Sequence, residues 1–417
     1  MFIELICMKL RSHQQTALDA MFKYNRGQVI IPTGGGKTIT MILDCQRKFS
    51  ETVGQVAVVV APRILLAEQL CSEFMEFHTN VDVLHVHSGE THYNRTTKSD
   101  KIANYVLESK TNQRNLIIFT TYHSLNRVVD SGTDITVLYC DESHNATQKS
   151  RFIAVAAASL MAEYAYFFTA TPRHTRNPQS SGMNNSMVYG QVICNVPAPE
   201  LINNGSIIPP SLVPFEVDIT REKSSAAQND RDMILEIIDQ QEGNPKVLVA
   251  APNTKIMWAM LTQTNIMQEL HDRGYDVLQI TSKHGAYVNK KKVNREVFFD
   301  TLTQYGKDES RKFVLLHYSI LSEGINVPGL THTILLRNLP VIEMAQTIGR
   351  VIRVNRHDAQ DIADGKIPAG AVHMYRKPCG YVTVPVFKNY GKQTIRRLQS
   401  VIDTIFVKGY AATSVVG

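Results

Sequence analysis

The run Thr33-Gly34-Gly35-Gly36-Lys37-Thr38 follows the β-branched stretch QVIIP and precedes TITMILDCQRKF, whose apolar residues recur at helical spacing. Glycines at a strand-to-helix turn let successive backbone N–H groups curl around a polyphosphate, and the helix N-terminus adds positive field. In such a cradle Lys37 reaches the outer phosphates and the Thr38 hydroxyl can hold Mg²⁺. The strict pattern G-x-x-x-x-G-K-[ST] places Gly at position 31, where this chain has Ile31. A plain Gly-rich turn is the competing reading.

Further along, ITVLYC ends in Asp141-Glu142-Ser143-His144. A carboxylate at the C-terminal end of a buried parallel strand lies where an α/β sheet opens its ligand crevice. Asp141 is therefore expected to hold the metal ion and Glu142 to orient or deprotonate an attacking water. An isolated acidic pair would read as a helix cap; downstream of a phosphate cradle it reads as the cradle's partner. A third group, Gln346-Thr347-Ile348-Gly349-Arg350-Val351-Ile352-Arg353, puts Gln346, Gly349, Arg350 and Arg353 at i, i+3, i+4 and i+7. On one helix these share a polar, cationic face, and two arginines aimed at a γ-phosphate would stabilise charge in the transition state. A solvated basic face is the bland alternative.

The elements that must position these groups alternate along the chain. QVIIP, VAVVVAP, NLIIFTT, ITVLYCDE and AYFFTAT are short runs, apolar on both faces, as expected for parallel strands covered by helices on both sides. Turn formers then break the rhythm between about Pro172 and Pro214, and the alternation resumes with KVLVAAP, DVLQITS, KFVLLHY and HTILLRN. At about 150 residues per domain, 417 residues suit two or three domains. Apolar residues are 43% and charged residues 20%, which excludes disorder, collagen and coiled coil as the main architecture. The net charge of +6 tilts towards an acidic partner without proving one. Six cysteines, Cys7, Cys45, Cys71, Cys140, Cys194 and Cys379, contain no C-x-x-C pair and suit a reducing, cytoplasmic setting. The opening MFIELICM carries Glu4 and is far shorter than the ~18 apolar residues of a membrane span. No signal peptide or transmembrane helix is expected, and the ordered domain is expected to begin near Lys9.

With these residues in view, the chain resembles the DEAD/DEAH-type superfamily 2 helicases and translocases from about Leu10 to Arg353. LRSHQQTAL resembles the adenine-recognising Gln motif, PTGGGKT motif I, APRILLAEQ motif Ia and FTTYHSL motif Ib. DESH resembles motif II, FTATPR motif III, KVLVAAPNT motif IV, SILSEGINVP motif V and QTIGRVIR motif VI. The likeness is greatest to the branch with LRxxQ, DExH and QxxGRxxR, which includes type III restriction subunits and phage repair helicases.

The resemblance implies an α/β fold of two RecA-like, doubly wound parallel-sheet domains in tandem, with ATP between them and a short C-terminal extension. The expected divisions are an ATP-binding domain over 1–205, a second domain over 206–360 and an extension over 361–417 packed on the second domain. It implies a hydrolytic set of Lys37, Asp141, Glu142, Gln346, Arg350 and Arg353, with Mg²⁺ on Thr38 and Asp141. Nucleotide contacts would come from Arg11, Gln14, Thr33, Gly34, Gly35, Gly36, Lys37, Thr38, Gly324 and Asn326, with Gln14 on the base edge. Motif V often carries Asp where this chain has Asn326; Asn keeps an acceptor and loses the charge.

Motifs Ia, Ib, IV and V line a track for one nucleic-acid strand in this family. Arg63, Thr120, Thr121, Tyr122, Asn253, Thr254, Ser282 and Ser322 offer donors suited to phosphate oxygens. Singly, each is better explained by a cap or turn hydrogen bond than as a ligand, and only the group points to a track. The implied partner is nucleic acid, DNA in preference to RNA, as a single strand or a forked or branched duplex, in a bacterial or phage-infected cytoplasm. An ATP-gated clamp, a motor subunit of a restriction or defence complex, and an RNA helicase are the alternatives.

Other features are read conservatively. His85, His87 and His92 lack a further well-spaced ligand, so no metal beyond Mg²⁺ is assigned. Lys290-Lys291-Lys292 with Arg295 reads as a solvated helix start, with a supporting nucleic-acid contact as the alternative, and Met257 and Trp258 as packing residues on a helix. In the tail, a strand and a terminal helix are expected to dock on the second domain. The sharper alternative has Tyr381, Phe387, Arg396 and Arg397 touching duplex or a partner.

Overall fold

Strand β2 (Val56–Ala61) reads VAVVVA, and all of its residues are buried. A strand apolar on both faces must be covered on both faces, and its β-branched side chains fit the pleated surface. Burial of each such valine contributes roughly 2 kcal/mol of hydrophobic stabilisation. The computed structural model describes residues 10–281, 283–318 and 327–416, and the chain divides into two compact units, residues 1–196 with 413–417, and residues 197–412.

The first unit is built on β1 (Arg26–Ile30), β2, β3 (Val81–Val86), β4 (Asn94–Arg95), β5 (Asn115–Thr121), β6 (Val137–Cys140), β7 (Tyr164–Thr169), β8 (Arg173–Thr175) and β9 (Gln191–Asn195). All but β8 form one sheet in the order β4-β3-β5-β2-β6-β7-β1-β9, parallel throughout. Val58 stands opposite Ile118 on one side and Leu138 on the other, so the apolar runs read from the sequence are the central strands. The helix Lys37–Glu51 lies on this sheet and buries a carboxylate, Asp44, whose Oδ2 accepts from the Tyr139 hydroxyl at 2.6 Å, with Lys48 Nζ at 3.9 Å. Buried charge survives there because it is hydrogen-bonded and paired.

The second unit contains β10 (Pro210–Glu216), β11 (Lys246–Ala250), β12 (Tyr275–Thr281), β13 (Gly285–Val288), β14 (Lys291–Val293), β15 (Lys312–His317), β16 (His332–Leu335) and β17 (Gly380–Val386). Their order is β10-β17-β16-β11-β15-β12-β13-β14. The first six pair in parallel, whereas β13 and β14 are an antiparallel hairpin at one edge. A final strand, β18 (Ser414–Val416), pairs in parallel with β8 of the first unit.

The first compact unit ends at Val196, where the sequence suggested a division near 205. The strand and helix expected to dock from the tail are β17, which lies within the second sheet between β10 and β16, and the helix Lys392–Ile402 beside it, while 413–417 go with the first unit. In that tail Tyr381 stacks on His332, Phe387 is buried, and Arg397 Nη1 donates to the Leu339 carbonyl at 3.0 Å, so these side chains serve the fold; Arg396 is exposed. Lys290–Lys292 form a hairpin turn and edge strand instead of a helix start, because Asn289 and Lys290 adopt left-handed backbone (φ 46° and 72°) that reverses the chain. Among the described residues, no helix is long and apolar enough to cross a membrane.

The His332 ring stacks on Tyr381 with centroids 4.8 Å apart, and burial, aided by nearby Lys377, lowers its pKa to about 4. In the unfolded chain the ring takes up a proton near 6.5, so His332 costs stability as pH falls from there towards 4. A His332→Phe variant keeps the stack and removes this term. Relative to the parent it should gain about 1.4 kcal/mol of unfolding free energy per pH unit below 6.5. Urea denaturation of both at about pH 7 and about pH 5 reads this difference; parallel profiles would show that the folded ring carries a proton.

Candidate functional site

The phosphate cradle begins where β1 leaves the sheet. Gly34 and Gly36 have φ of 88° and 83°, and Gly36 caps the helix Lys37–Glu51 in the left-handed region. A Cβ on Gly36 would stand 2.4 Å from Gln14 Nε2, so backbone and space both demand glycine. The turn is held from below. His13 Nε2 donates to the Gly35 carbonyl at 2.7 Å, and Gly35 N donates to the Pro32 carbonyl at 3.0 Å. The Arg11 backbone N–H donates to Gln14 Oε1 at 3.0 Å, which fixes the Gln14 amide against the glycines. The LRSHQQ segment thus braces the loop containing Thr33, Gly34, Gly35 and Gly36, and His13 is a bracing residue that the sequence reading did not single out.

Lys37 and the acidic pair meet. Lys37 Nζ lies 3.3 Å from Glu142 Oε1, and both side chains are nearly buried. Asp141 ends β6, where its N–H donates to the Val60 carbonyl and its own carbonyl accepts from the Tyr122 hydroxyl at 2.7 Å. Glu142 then takes a left-handed conformation (φ 45°, ψ 51°), a strained geometry for a side-chain-bearing residue. His144 accepts from Asn145 Nδ2 at Nε2 (3.1 Å), so its Nδ1–H faces Thr169 Oγ1 at 3.0 Å, with Glu142 Oε2 at 3.5 Å. Thr171 N in turn donates to Thr169 Oγ1 at 3.1 Å. The DESH turn and the TAT segment at the end of β7 are therefore one hydrogen-bonded network. His144, Thr169 and Thr171 join the site, although the sequence reading noted only the motifs that contain them.

Burial pushes the Asp141 carboxyl well above the usual carboxylate range, with Glu142 adding to the shift and Lys37 opposing it. Its Oδ1 is buried without a hydrogen-bond partner, an expensive state for an oxygen. Oxygen donors are what a hard divalent cation requires, so Asp141 with the Thr38 hydroxyl fits Mg²⁺.

In the second unit the helix Val341–Val351 carries Gln346 and Arg350, both buried. It stops before Arg353, which lies in an isolated bridge to Ile207, so the four-residue helical face expected for Gln346, Gly349, Arg350 and Arg353 is not formed as such. Lys377 Nζ donates to the Arg353 carbonyl at 3.0 Å. Gly324, Asn326, Ser282 and Ser322 lie outside the described residues.

Of the expected track residues, Arg63 caps the helix Ile64–Met75 and is partly exposed. Thr120 and Tyr122 are buried, with hydroxyls donating to the Val86 and Asp141 carbonyls, so these side chains are spent inside the unit. Thr121 Oγ1 faces Ser124 Oγ at 3.5 Å. Asn253 caps the helix Thr254–Gln263 by accepting from Ile256 N at 2.8 Å, and Thr254 opens that helix.

Glu68 gathers with His85 and His87 on β3, their ligand atoms within 4.8 Å of one another. Glu68 Oε1 lies 3.2 Å from His87 Nε2 and 3.5 Å from His85 Nδ1, these two ring nitrogens are 2.9 Å apart, and His87 Nδ1 accepts from Gly89 N at 3.2 Å. Glu68, half-buried beside the two buried rings, is the further ligand-type residue that the sequence did not bring to the histidines.

A Gly36→Ala variant should lose roughly 1–2 kcal/mol from the left-handed backbone alone, and more from the Gln14 contact. Adding Gln14→Ala should return the second part only. Thermal denaturation of parent, single and double variants measures both; equal stability of parent and single variant would exclude this loop conformation.

Comparison with known proteins follows the same order along the chain. The family model described as type III restriction enzyme, res subunit, matches residues 7–174, and the helicase conserved C-terminal domain matches residues 229–355. The ATP-dependent Type ISP restriction-modification enzyme LlaBIII bound to DNA is 16% identical, with a TM-score of 0.71 over 98% of this chain and 31% of its own. A nuclease-deletion mutant of the Type ISP enzyme LlaGI, in complex with a DNA substrate mimic, is 16% identical with a TM-score of 0.56 over 97% of this chain and 30% of its own. Mss116p bound to ssRNA and AMP-PNP is 13% identical with a TM-score of 0.62, over 98% and 74%. This chain spans about a third of the two Type ISP enzymes, and identities this low carry the fold. No curated protein matches by sequence. With both family models matched in order on two parallel-sheet units, the chain belongs to the superfamily 2 helicases, in the branch of the type III restriction subunits.

Proposed function

We propose that this helicase-family protein is an ATP-driven motor that tracks along nucleic acid, DNA in preference to RNA, and unwinds or remodels branched duplex. The observation that carries the reading is the Lys37–Glu142 contact beside Asp141, a lysine and two carboxylates gathered at the foot of a glycine cradle. Lys37 and the backbone N–H groups of Gly34, Gly35 and Gly36 bind the phosphates of ATP. Asp141 and Thr38 would hold Mg²⁺, which would supply charge neutralisation during phosphoryl transfer. When phosphates draw the Lys37 ammonium away, Glu142 is released to orient the attacking water and take its proton. His144 holds Glu142 from the other side and passes its position to Thr169 and Thr171. Arg350 and Arg353 of the second unit act on the charge that develops at the γ-phosphate, with Gln346 as a nearby polar contact.

Motion requires that ATP-bound and ATP-free states grip the strand differently, since a ligand shifts an equilibrium only by its differential affinity. Arg63, Thr121, Asn253 and Thr254 are the described candidates for that grip. The DNA preference is supported by LlaBIII and LlaGI, both bound to DNA or a DNA mimic, against the RNA held by Mss116p. A second reading, a motor subunit of a larger restriction or defence assembly, is favoured by the chain spanning about a third of those enzymes.

A Lys37→Ala protein should bind nucleic acid and lose ATP hydrolysis; normal turnover would refute the site. Arg350→Ala should lower kcat about a thousandfold with little change in ATP affinity, as expected of a group acting on developing charge. ATPase rates with single-stranded, double-stranded and forked DNA and with RNA, compared side by side, test the substrate. Stimulation by RNA alone would overturn the DNA reading, and stimulation without strand separation would favour the clamp.

A further inference from the structure

Trp258, the chain's one tryptophan, lies outside the core that its helix helps to build. On the helix Thr254–Gln263, Met257, Met260 and Leu261 are buried, whereas Trp258 keeps part of its surface in solvent. Its ring stacks on His284 with centroids 4.2 Å apart and planes 8° from parallel. Tyr287 adds a third ring at 5.9 Å and 58°. All three are partly exposed. The sequence suggested a packing residue, but an indole laid flat on an imidazole at the surface presents an aromatic step.

The step stands one turn beyond Asn253 and Thr254, at the carboxyl ends of β11 and β12, the edge at which open α/β sheets take their ligands. Beside it runs the β13–β14 hairpin, whose antiparallel pairing carries the chain back along β12, so that its turn lies at the amino end of that strand, where Asn289 accepts from Val277 N at 2.8 Å and donates to Asp276 Oδ1 at 2.6 Å. Lys290 and Lys291 stand at that far end, whereas Lys292 pairs directly opposite Tyr287 and reaches back towards Gly285, the neighbour of His284. Lys292 is exposed and makes no ion pair among the described residues. An unneutralised lysine next to flat aromatic surface suits a phosphate flanking a base, because every base offers a π face and every link a charge.

We propose that Trp258 and His284 form a stacking step for an unpaired base of the bound strand, with Lys292 holding a flanking phosphate. This rests on the nucleic-acid reading above and adds to it a base contact in a track otherwise suited to backbone. A single tryptophan makes the contact directly visible. The full chain is titrated with oligothymidylate and with an abasic oligomer of equal length; anisotropy of labelled oligomer reports binding and intrinsic emission reports stacking.

Both oligomers should bind, and only oligothymidylate should quench Trp258. Trp258→Ala should weaken oligothymidylate about tenfold, the scale of one base stacked on an aromatic ring, and leave the abasic oligomer within about twofold. Tyr287→Ala retains the reporter and should reduce the quenching, while Lys292→Glu should weaken both oligomers alike. Binding of both oligomers without selective quenching overturns the stacking step alone. Absence of binding by either removes it together with the nucleic-acid reading.

Discussion

A charge with nowhere else to go organises the first unit. Lys37 leaves its helix at the glycine turn and finds Glu142 at 3.3 Å, beside an Asp141 carboxyl that burial disfavours as an anion. Like charges this close, largely out of water, are tolerated only while a cation is shared between them. The Lys37 ammonium supplies that cation. A bound metal and phosphate would redistribute it, so the energetic cost of holding two carboxylates together would make the site responsive to such a ligand.

Around that contact the fold is mostly scaffolding, and its economy lies in strand ends. β1 delivers the glycine turn, β6 the acidic pair and β7 the threonines, and the three are neighbours in the sheet. His144 ties the last two together through Thr169. Residues far apart along the chain become one network because adjacent parallel strands all end at the same edge.

The strands and the cradle were legible because β-branched runs and glycines state their requirements locally. VAVVVA can only be a covered strand, and Gly36 occupies a position that excludes a Cβ. What was not legible depended on contacts distant in sequence. The bracing by His13 needs the Gly35 carbonyl to be brought to it, and the gathering of Glu68 with His85 and His87 needs the helix Ile64–Met75 to pack on the sheet. Arg353 fell off the expected helix because chain pairing with Ile207 competes with one more turn. The lysine run misread as a helix start turned on two left-handed residues, Asn289 and Lys290, and only the Asn carries a recognisable preference for that conformation. Trp258 looked like packing because a large aromatic on a helix ordinarily is.

The pairing of β18 with β8 has a consequence for biosynthesis. Residues 414–416 supply the partner strand for 173–175, so the unit whose chain emerges first from the ribosome acquires its last strand only after the whole of the other unit has been made. Until then β8 presents an open edge, an invitation to wrong partners that the nascent chain must survive.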